Sequence, residues 1–300
     1  MPYFHLVFTL PHELNALAQG NPRAIYTLLF EAVSDTLIEF GANPRWLGGA
    51  LAATLVLHTW GQNLGQHLHI HALIAAGALA PDGRWITSRR GFLFPVTALS
   101  PVFRGKFLSG LKRLFHAGTF TLAGSSAELA DPCAQRRLVH ALYDTAWVVY
   151  AKRPFAGPAQ VLDYLGRYTH RVALSNNRLV SVNDTEVRFR YKDYAHGNRR
   201  KVMTLAATEF MRRFLLHVLP AGFMRIRHYG ILANRAKREK LAQARRALDH
   251  PPPQPPEPES VAAFWLRVAV LDIHQCPHCK AGRMIVIGPI SAPRSRAPPP

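Results

Sequence analysis

The stretch Gln66-His67-Leu68-His69-Ile70-His71-Ala72-Leu73-Ile74 alternates three histidines with apolar residues. Alternation with a period of two is typical of a β-strand, in which successive side chains point to opposite faces. One face of this strand would carry His67, His69 and His71, and the other face would contribute apolar side chains to a core. The stretch therefore predicts a β-strand with one imidazole face and one core face.

Histidines two residues apart on one face of a strand can hold a metal ion. They lie about 7 Å apart along the strand, which is close enough for two imidazoles to converge on one ion. The alternative is a set of half-exposed histidines in an edge strand. A third histidine in phase favours the metal site, but these residues alone leave both interpretations open.

The composition is typical of a folded protein that binds a polyanion. Of 300 residues 48% are hydrophobic, which is ample for a large core. The 37 Lys and Arg residues exceed the 18 Asp and Glu residues, giving a formal net charge of +19 and a pI near 10.6. Nucleic acid is the first class of partner to consider. A membrane is disfavoured, because no apolar run approaches the roughly 18 residues of a spanning helix.

The cysteines and the N-terminus predict a cytoplasmic protein. Three cysteines, two of them in one Cys-x-x-Cys, do not make a disulfide framework. The first residues, 1–5, lack the basic region and apolar run of a secretory signal. A reducing cytoplasm is therefore the expected compartment. The oligomeric state stays open.

A proline-rich segment predicts the domain boundary. Residues 249–259 read as an extended linker between a large domain, 1–248, and a small segment, 260–290. Residues 291–300 are rich in Pro and Arg, which indicates a disordered tail. The small segment contains Cys276-Pro-His-Cys279, half of a zinc site, for which reduced thiols without a metal are the alternative.

The remaining patterns predict an α+β fold. Asn21 is placed to cap a helix over 22–40, with Pro22 at its first position. A strand ending near Gly61 is expected to form a hairpin with the histidine strand. Further strands and helices are expected as follows: strands at 3–10, 84–87, 147–151, 172–174, 178–182 and 187–191, and helices at 102–116, 159–169, 204–219 (opened by Thr204) and 235–247.

Two tyrosines share one edge of the helix expected at 159–169. Tyr164 and Tyr168 are four residues apart, so both phenols fall on the shoulder of its apolar stripe. An aromatic pair at the rim of a core would show the same spacing. Gly166 between them costs about 1 kcal/mol relative to alanine, which indicates a close approach of the backbone.

Basic residues interleaved with aromatic ones follow downstream. Tyr191-Lys192-Asp193-Tyr194 is followed by Asn198-Arg199-Arg200-Lys201, a pattern suited to phosphate contacts beside base stacking. A solvated hairpin tip is the alternative. Arg225-Ile226-Arg227 then alternates basic and apolar residues, and residues 235–247 are expected to form a strongly basic helix.

Together these motifs resemble one family, the rolling-circle, two-tyrosine transposases of bacterial insertion sequences founded by insertion sequence 91. These proteins are members of the HUH endonuclease superfamily, named for histidine, hydrophobe, histidine. The resemblance spans about residues 3–246 in the family's order. It is carried by Phe8-Thr9-Leu10-Pro11, His-Leu-His-Ile-His, Arg90-Gly91-Phe92-Leu93-Phe94-Pro95, the Tyr-x-x-x-Tyr of 164–171, and Arg225-Ile226-Arg227-His228-Tyr229-Gly230.

The resemblance implies a fold and a site. The fold is an antiparallel sheet with the His-x-His motif on a central strand, flanking helices and a basic helical C-terminal part. His69 and His71 would bind a divalent metal, Mg²⁺ or Mn²⁺, with His67 as a third-ligand candidate. The residues expected to contact DNA are Arg167, Arg171, Arg199, Arg200, Lys201, Arg225 and Arg227. Family members usually begin with a cysteine-rich zinc module, whereas this chain starts directly at the first strand.

The resemblance also implies a mechanism. Tyr164 and Tyr168 would attack single-stranded DNA, leaving a 5′-phosphotyrosine and a free 3′-hydroxyl. A plasmid replication initiator or a conjugative relaxase shares this chemistry. A truncated, non-catalytic DNA-binding remnant would bind without cleaving. A metallohydrolase acting on a small substrate would leave the charge of +19 unexplained.

Overall fold

The histidine stretch lies in the middle of an antiparallel sheet. The structure is a computed structural model. It describes residues 2–89, 91–155, 160, 166, 173–193, 197–252, 258–285, 287 and 288. The chain divides into two compact units, Met1–Pro251 and Pro252–Pro300.

Nine strands lie among the described residues of the first unit, and six of them form the main sheet. In chain order they are β1 (Tyr3–Thr9), β2 (Ala50–Trp60), β3 (Gln66–Leu79), β4 (Trp85–Thr87), β5 (Val149–Phe155), β6 (Leu179–Val182), β7 (Glu186–Asp193), β8 (Arg199–Ala206) and β9 (Ile226–Gly230). The main sheet has the order β5-β1-β3-β2-β9, and β4 pairs with the end of β3. The histidine strand is therefore central, as predicted, and not an edge strand.

Helices cover the apolar face of this sheet. In chain order the helices of the described residues are α1 (Asn15–Gly20), α2 (Pro22–Ala42), α3 (Val96–His116), α4 (Pro132–Asp144), α5 (Ala207–Leu215), α6 (Lys237–Ala247) and α7 (Val261–Ala269), and the two long helices α2 and α3 cover this face. The main core joins Leu68, Ile70 and Ala72 of β3 to buried side chains of α2 and α3 such as Phe30 and Phe103. The predicted α+β fold, with an antiparallel sheet and flanking helices, is confirmed.

The start of α2 differs in one detail from its prediction. Pro22 is at the first position, as expected, but the side chain of Asn21 makes no capping hydrogen bond. Its Oδ1 accepts from Thr121 N at 2.7 Å, and its Nδ2 donates to Thr121 O at 3.0 Å. Asn21 therefore fixes a distant loop to the beginning of α2.

Two helices begin elsewhere than expected. The helix α3 begins at Val96 and contains Pro101, whereas the sequence placed its start at 102. Thr204 does not open a helix, because it pairs with Arg188 as part of β8, and α5 begins at Ala207. Strand pairing thus decided a boundary that local sequence left ambiguous.

The strands β6, β7 and β8 form a second, three-stranded sheet. Its small core contains Phe189, Ala173 and Leu64, and Leu64 belongs to the turn between β2 and β3. Three side chains bond the backbone of that turn: Arg178 to Gln62 O, Arg213 to Asn63 O at 3.2 Å, and His217 to Leu64 O at 3.1 Å. The second sheet is thereby fastened to the histidine hairpin.

The histidine-bearing face of the main sheet is covered at one end. There Ala75 and Leu79 of β3 form a cluster with Ile231 and with Ala244 of α6. The three histidines lie toward the opposite end of β3. The basic helix α6 thus packs on the same face as the histidines but beyond them.

The second unit contains α7 and the two-cysteine turn. Ser260 caps α7 by accepting a hydrogen bond from Ala263 N. The residues expected to form a disordered tail, 291–300, lie outside the described residues, and so does the linker part 253–257. Within the described part of the chain, no helix combines the length and the apolar character that a membrane span requires.

Candidate functional site

Three imidazoles converge on the open part of the histidine face. His58 comes from β2, and His69 and His71 come from β3. One ligand nitrogen from each lies within 4.8 Å of the others, and all three residues are buried. His69 Nε2 and His71 Nε2 are 3.1 Å apart. The group has the donor set and the size of a three-histidine metal site.

The pairing of β2 with β3 brings His58 into this group. Trp60 pairs with Gln66 and His58 pairs with His69, so β3 contains one residue more than β2 between the two pairs. In an antiparallel ladder, directly opposed residues share a face, and a slip of one residue exchanges the faces. The extra residue therefore places His58 on the face of His69 and not on that of Leu68.

His67 lies beside this group and is not one of its members. Its side chain is exposed, and its ring centroid is 4.8 Å from that of His69. Its carbonyl oxygen accepts a hydrogen bond from His69 Nδ1 at 2.9 Å. This bond leaves Nε2 of His69 as the nitrogen with a free lone pair, the one that faces His71. The backbone of His67, and not its imidazole, thus orients the group.

A fourth histidine supports the group from β1. His5 is fully buried, and its Nε2 is 2.7 Å from His71 Nδ1. When His71 donates this bond, its Nε2 keeps the lone pair that a metal requires. His5 therefore has the place of the outer partner that orients a metal-binding histidine.

Burial keeps these imidazoles uncharged. It lowers the pKa of His69 to about 3 and also lowers the pKa of His58 and of His71, with neighbouring imidazoles acting in the same direction. Burial likewise lowers the pKa of His5 to about 3. A neutral imidazole retains a lone pair, so the four residues fit metal coordination and its support at neutral pH.

Two cations flank the group. Lys152 of β5 pairs with His5, and its positive charge contributes to the lowered pKa values of His5, His69 and His71. On the other side, the Arg225 guanidinium lies 4.7 Å from the centroid of Trp60, whose ring stacks on His58 at 4.8 Å. A face of neutral imidazoles between two cations suits an anionic ligand.

Both predicted nucleophiles lie outside the described residues. Tyr164 and Tyr168 belong to a stretch of which the structure describes only Gln160 and Gly166. Arg167 and Arg171, expected to hold DNA, lie outside the described residues as well.

The other predicted DNA-binding residues are dispersed. Arg225 lies beside the histidine group, whereas Arg227 stacks on Phe30 at 4.3 Å and pairs with Leu55, a residue of the helix-covered core. Lys201 forms an ion pair with Asp193 at 2.7 Å. The structure therefore does not bring Arg227 or Lys201 to the histidines.

The two cysteines of the second unit lie in a tight turn. Gly282 N donates to Cys279 Sγ at 3.2 Å, and Cys276 N donates to Gly282 O at 2.8 Å. The bond from Gly282 is the main cause of a lowered pKa of the Cys279 thiol. Among the described residues, His58, His69 and His71 are the one group of three ligands close enough to hold a metal ion. No third ligand of the described part of the chain lies close to the two sulfurs.

The sequence patterns did not identify two histidines of the site, His58 and His5. His58 stands in an alternating strand that was correctly expected to pair with the histidine strand, so pairing alone made it a candidate. His5 stands in the first strand, which the sequence did not place beside β3. Histidines in strands that pair with a His-x-His strand are thus the signal that would have found both.

Known proteins similar to this chain are transposases. The chain is 50% identical over 289 residues to "Putative transposase y4qJ" of Sinorhizobium fredii, covering 95% of this chain and 73% of that protein. It is 29% identical over 295 residues to "Transposase for insertion sequence element IS801" of Pseudomonas savastanoi pv. phaseolicola, covering 97% of this chain and 68% of that protein.

Solved structures of the conjugative relaxase TrwC are similar at a lower level. The complex with a 27-mer DNA comprising the recognition hairpin and the cleavage site is 16% identical and covers 81% of this chain and 73% of that chain, with a TM-score of 0.31. The metal-bound complex with OriT DNA is 15% identical and covers 82% and 72%, also with a TM-score of 0.31.

The family match falls on the part of the chain that contains the site. Residues 52–240 match the family model described as "Putative transposase", a range that includes His58, His69, His71, Tyr164 and Tyr168. The chain therefore belongs to the two-tyrosine transposase family that its histidine and tyrosine motifs resemble.

Proposed function

We propose that this transposase nicks and rejoins single-stranded DNA through a 5′-phosphotyrosine intermediate, in a rolling-circle type of transposition. The observation that carries the proposal is the convergence of His58, His69 and His71 within 4.8 Å, on a face flanked by Lys152 and Arg225. Transposon ends and target are the proposed DNA, and the bacterial nucleoid in the cytoplasm is the proposed place of action.

The proposed metal site consists of His58, His69 and His71. A divalent ion held there would polarise the scissile phosphate and offset the negative charge that grows in the transition state. Mg²⁺ and Mn²⁺ are the proposed ions. Three imidazole nitrogens suit Mn²⁺ better than Mg²⁺, which prefers oxygen ligands. His5 and the carbonyl of His67 keep two of the imidazoles in the orientation and tautomer that coordination requires.

The flanking cations have a separate role in the proposal. Lys152 and Arg225 hold the DNA phosphate against the histidine face and compensate part of its charge. Trp60, between Arg225 and His58, keeps the guanidinium at a fixed place beside the metal site. Arg167, Arg171, Arg199, Arg200, Lys201 and Arg227 remain proposed DNA contacts on the basis of the sequence.

The proposed nucleophiles are Tyr164 and Tyr168, on the basis of their spacing. The phenol oxygen of one tyrosine forms a bond to the phosphorus and loses its proton, and the bond from phosphorus to the 3′ oxygen breaks. The 3′ oxygen takes up a proton, so the products are a 5′-phosphotyrosine and a free 3′-hydroxyl. Because the bond energy is kept, a later 3′-hydroxyl can reverse the step. A second tyrosine allows another strand to be cut while the first is attached.

Zinc binding by the second unit is a further proposal. Cys276 and Cys279 would supply two of the four ligands of a zinc ion. Their tight turn, in which a backbone N–H donates to Cys279 Sγ, stabilises a thiolate and supports the assignment. Replacing both cysteines with serine should remove zinc from the purified protein without changing manganese binding by the first unit.

Covalent capture of DNA tests the proposed function. The full chain is incubated with end-labelled single-stranded oligonucleotides and Mg²⁺ or Mn²⁺, and a protein–DNA adduct is sought on a denaturing gel. The wild type should form the adduct, and the variant with Tyr164→Phe and Tyr168→Phe should bind DNA without forming it. Tyr143→Phe, an exposed tyrosine on α4, is the matched control and should form the adduct normally.

Two results would contradict the proposal. An adduct that persists in the double phenylalanine variant would exclude these tyrosines as the nucleophiles. Binding by the wild type with no cleavage, whichever divalent metal is supplied, would identify the chain as a non-catalytic DNA-binding protein.

A further inference from the structure

The three-stranded sheet carries a row of positive side chains on the face turned away from its core. Along β7, Arg188, Arg190 and Lys192 are exposed, whereas the alternating Val187 and Phe189 are buried and Tyr191 is half-buried. Side chains of a strand alternate between its faces, so the three basic residues share the outer face. Consecutive members of the row are about 7 Å apart along the strand.

The neighbouring strand extends this row. Across the β7–β8 pair, Lys192 is directly opposite Arg200, which is also exposed. Like charges that are directly opposite each other, such as Lys192 and Arg200, destabilise an antiparallel pair. Arg190 is opposite the uncharged Val202. The β7–β8 pair therefore places two basic side chains next to each other on the outer face.

The opposite face of the same hairpin carries two basic residues, Arg199 and Lys201, and one carboxylate, Asp193. There Lys201 forms its ion pair with Asp193. On the outer face, no carboxylate forms an ion pair with Arg188, Arg190 or Arg200 among the residues that the structure describes. Glu186, at the far end of the row, is the one acidic residue of β7 on this side. The outer face thus has the larger excess of positive charge.

The position of this face is fixed relative to the histidine hairpin. Arg213 and His217, which follow β8, bond the backbone of Asn63 and Leu64 in the turn between β2 and β3. Arg178 at the start of the sheet bonds Gln62 in the same turn. The turn that joins the strands of His58 and His69 therefore also fixes the position of the outer face. A DNA strand bound to that face would lie at a defined position relative to these histidines.

We propose that the outer face of this sheet, formed by Arg188, Arg190, Lys192 and Arg200, binds the phosphate backbone of DNA without reading its bases. Guanidinium groups donate two hydrogen bonds to one phosphate and suit this role. Between them the face presents Val202 and Thr204, and none of the described residues of β7 and β8 places an aromatic ring there for stacking. The choice of DNA as the polyanion rests on the proposed function.

Equilibrium binding measures this surface without requiring cleavage. The variant Arg188→Gln, Arg190→Gln, Arg200→Gln is compared with wild type for two fluorescent single-stranded oligonucleotides of unrelated sequence, by anisotropy, in EDTA and over a series of salt concentrations. Each lost phosphate contact lowers the slope of log K against log salt by about 0.7, so the triple variant should lose about 2 in slope. Both oligonucleotides should lose affinity by a similar factor.

A matched variant separates the surface from total charge. Lys112→Gln, Arg136→Gln, Arg137→Gln removes the same charge from exposed positions on α3 and α4 and should bind DNA with nearly the wild-type slope. Arg188→Lys, Arg190→Lys, Arg200→Lys keeps the charge and should retain most of the slope. All four proteins should unfold at similar temperatures.

Three results would contradict the proposal that this face binds DNA. They are an unchanged affinity and slope in the glutamine variant of the sheet, an equal loss in the α3 and α4 variant, and a loss confined to one oligonucleotide. Loss of binding in the sheet variant, together with absence of any adduct in the wild type, would support the surface and overturn the proposed cleavage.

Discussion

His58 and His69 are directly opposite each other across the β2–β3 hairpin, with their rings edge to face at 5.2 Å between centroids. Because directly opposed residues share a face, this pair adds a third imidazole to the two of the His-x-His motif. The candidate metal site is thus a product of strand pairing as well as of the motif.

Replacing His58 should therefore impair metal binding more than replacing His67. In His58→Ala, one of three ligands is lost, and affinity for Mn²⁺ should fall by more than the 10- to 100-fold that loss of an outer partner causes. His67→Ala, at an exposed position of the partner strand β3, should change affinity little. Isothermal titration calorimetry of the metal-free proteins measures both, and a larger loss in His67→Ala would reverse the assignment.

His5 should influence the metal through His71. Replacing it by Phe keeps a ring in the buried site but removes the nitrogen 2.7 Å from His71 Nδ1. The affinity for Mn²⁺ should fall about 10- to 100-fold. The control is His12→Phe at an exposed position. Equal metal affinities in wild type and His5→Phe would show that His71 needs no such support.

Lys152 should act on the metal and on DNA in opposite directions. Its charge disfavours a cation at the histidines and favours a phosphate there. Lys152→Gln should therefore bind Mn²⁺ as well as wild type or a few-fold better, while its adduct with DNA forms more slowly. Lys112→Gln on α3 provides the control. A parallel fall in both quantities would indicate a structural effect and not a charge effect.

The metal-free protein should lose stability in mild acid. His217 is buried, and burial lowers its pKa from 6.5. As the pH falls, His217 is protonated in the unfolded chain before it is protonated in the folded chain. The contribution of neutral His217 to stability is therefore complete above about pH 6.5 and is lost as the pH falls below it. His5 and His69, with pKa values of about 3, act in the same direction.

Each such imidazole contributes up to about 1.4 kcal/mol per pH unit in this range. Urea unfolding in EDTA between pH 7.5 and pH 5 measures the sum. His217→Gln should flatten the dependence by up to one proton. A free energy of unfolding that is constant over this range would mean that these histidines are not buried and neutral in solution.

Gly230 at the end of β9 should tolerate no side chain. Its φ is +63°, and a Cβ there would lie 1.8 Å from Leu51 O. Gly230→Ala should lose about 1–2 kcal/mol from the backbone conformation alone, and more from the overlap with Leu51. Gly105→Ala on α3, where a Cβ would meet nothing within 4 Å, should be neutral or stabilising. Equal melting temperatures of the two variants would contradict this contact.

The sequence predicts features that depend on a repeating pattern. Alternation in 66–74 predicted the face of each histidine and apolar residue in β3, and Pro22 with an apolar stripe predicted α2. Each depends on the order of neighbouring residues, which fixes the direction of side chains within one element.

Features that depend on pairing between distant strands could not be predicted in the same way. A hairpin folded evenly about its turn would place His58 opposite Leu68, toward the core, and only the one-residue shift beyond Trp60 and Gln66 moves it to the histidine face. Thr204 reads as a helix start until its pairing with Arg188 makes it part of a strand. Asn21 reads as a cap, but its partner Thr121 is remote in sequence.

The one-residue shift in the hairpin makes the length of β3 as decisive as its chemistry. Deletion of the two codons for His67 and Leu68 would leave His58, His69 and His71 all present in the translated sequence, while Trp60 opposite Gln66 would place His58 opposite Ile70. Pairing would then become even, and the imidazole of His58 would turn into the hydrocarbon interior while its two counterparts stay outside. Among copies of such an element accumulating in a genome, some can thus fall silent through an in-frame deletion although a search for their motif residues still finds every one.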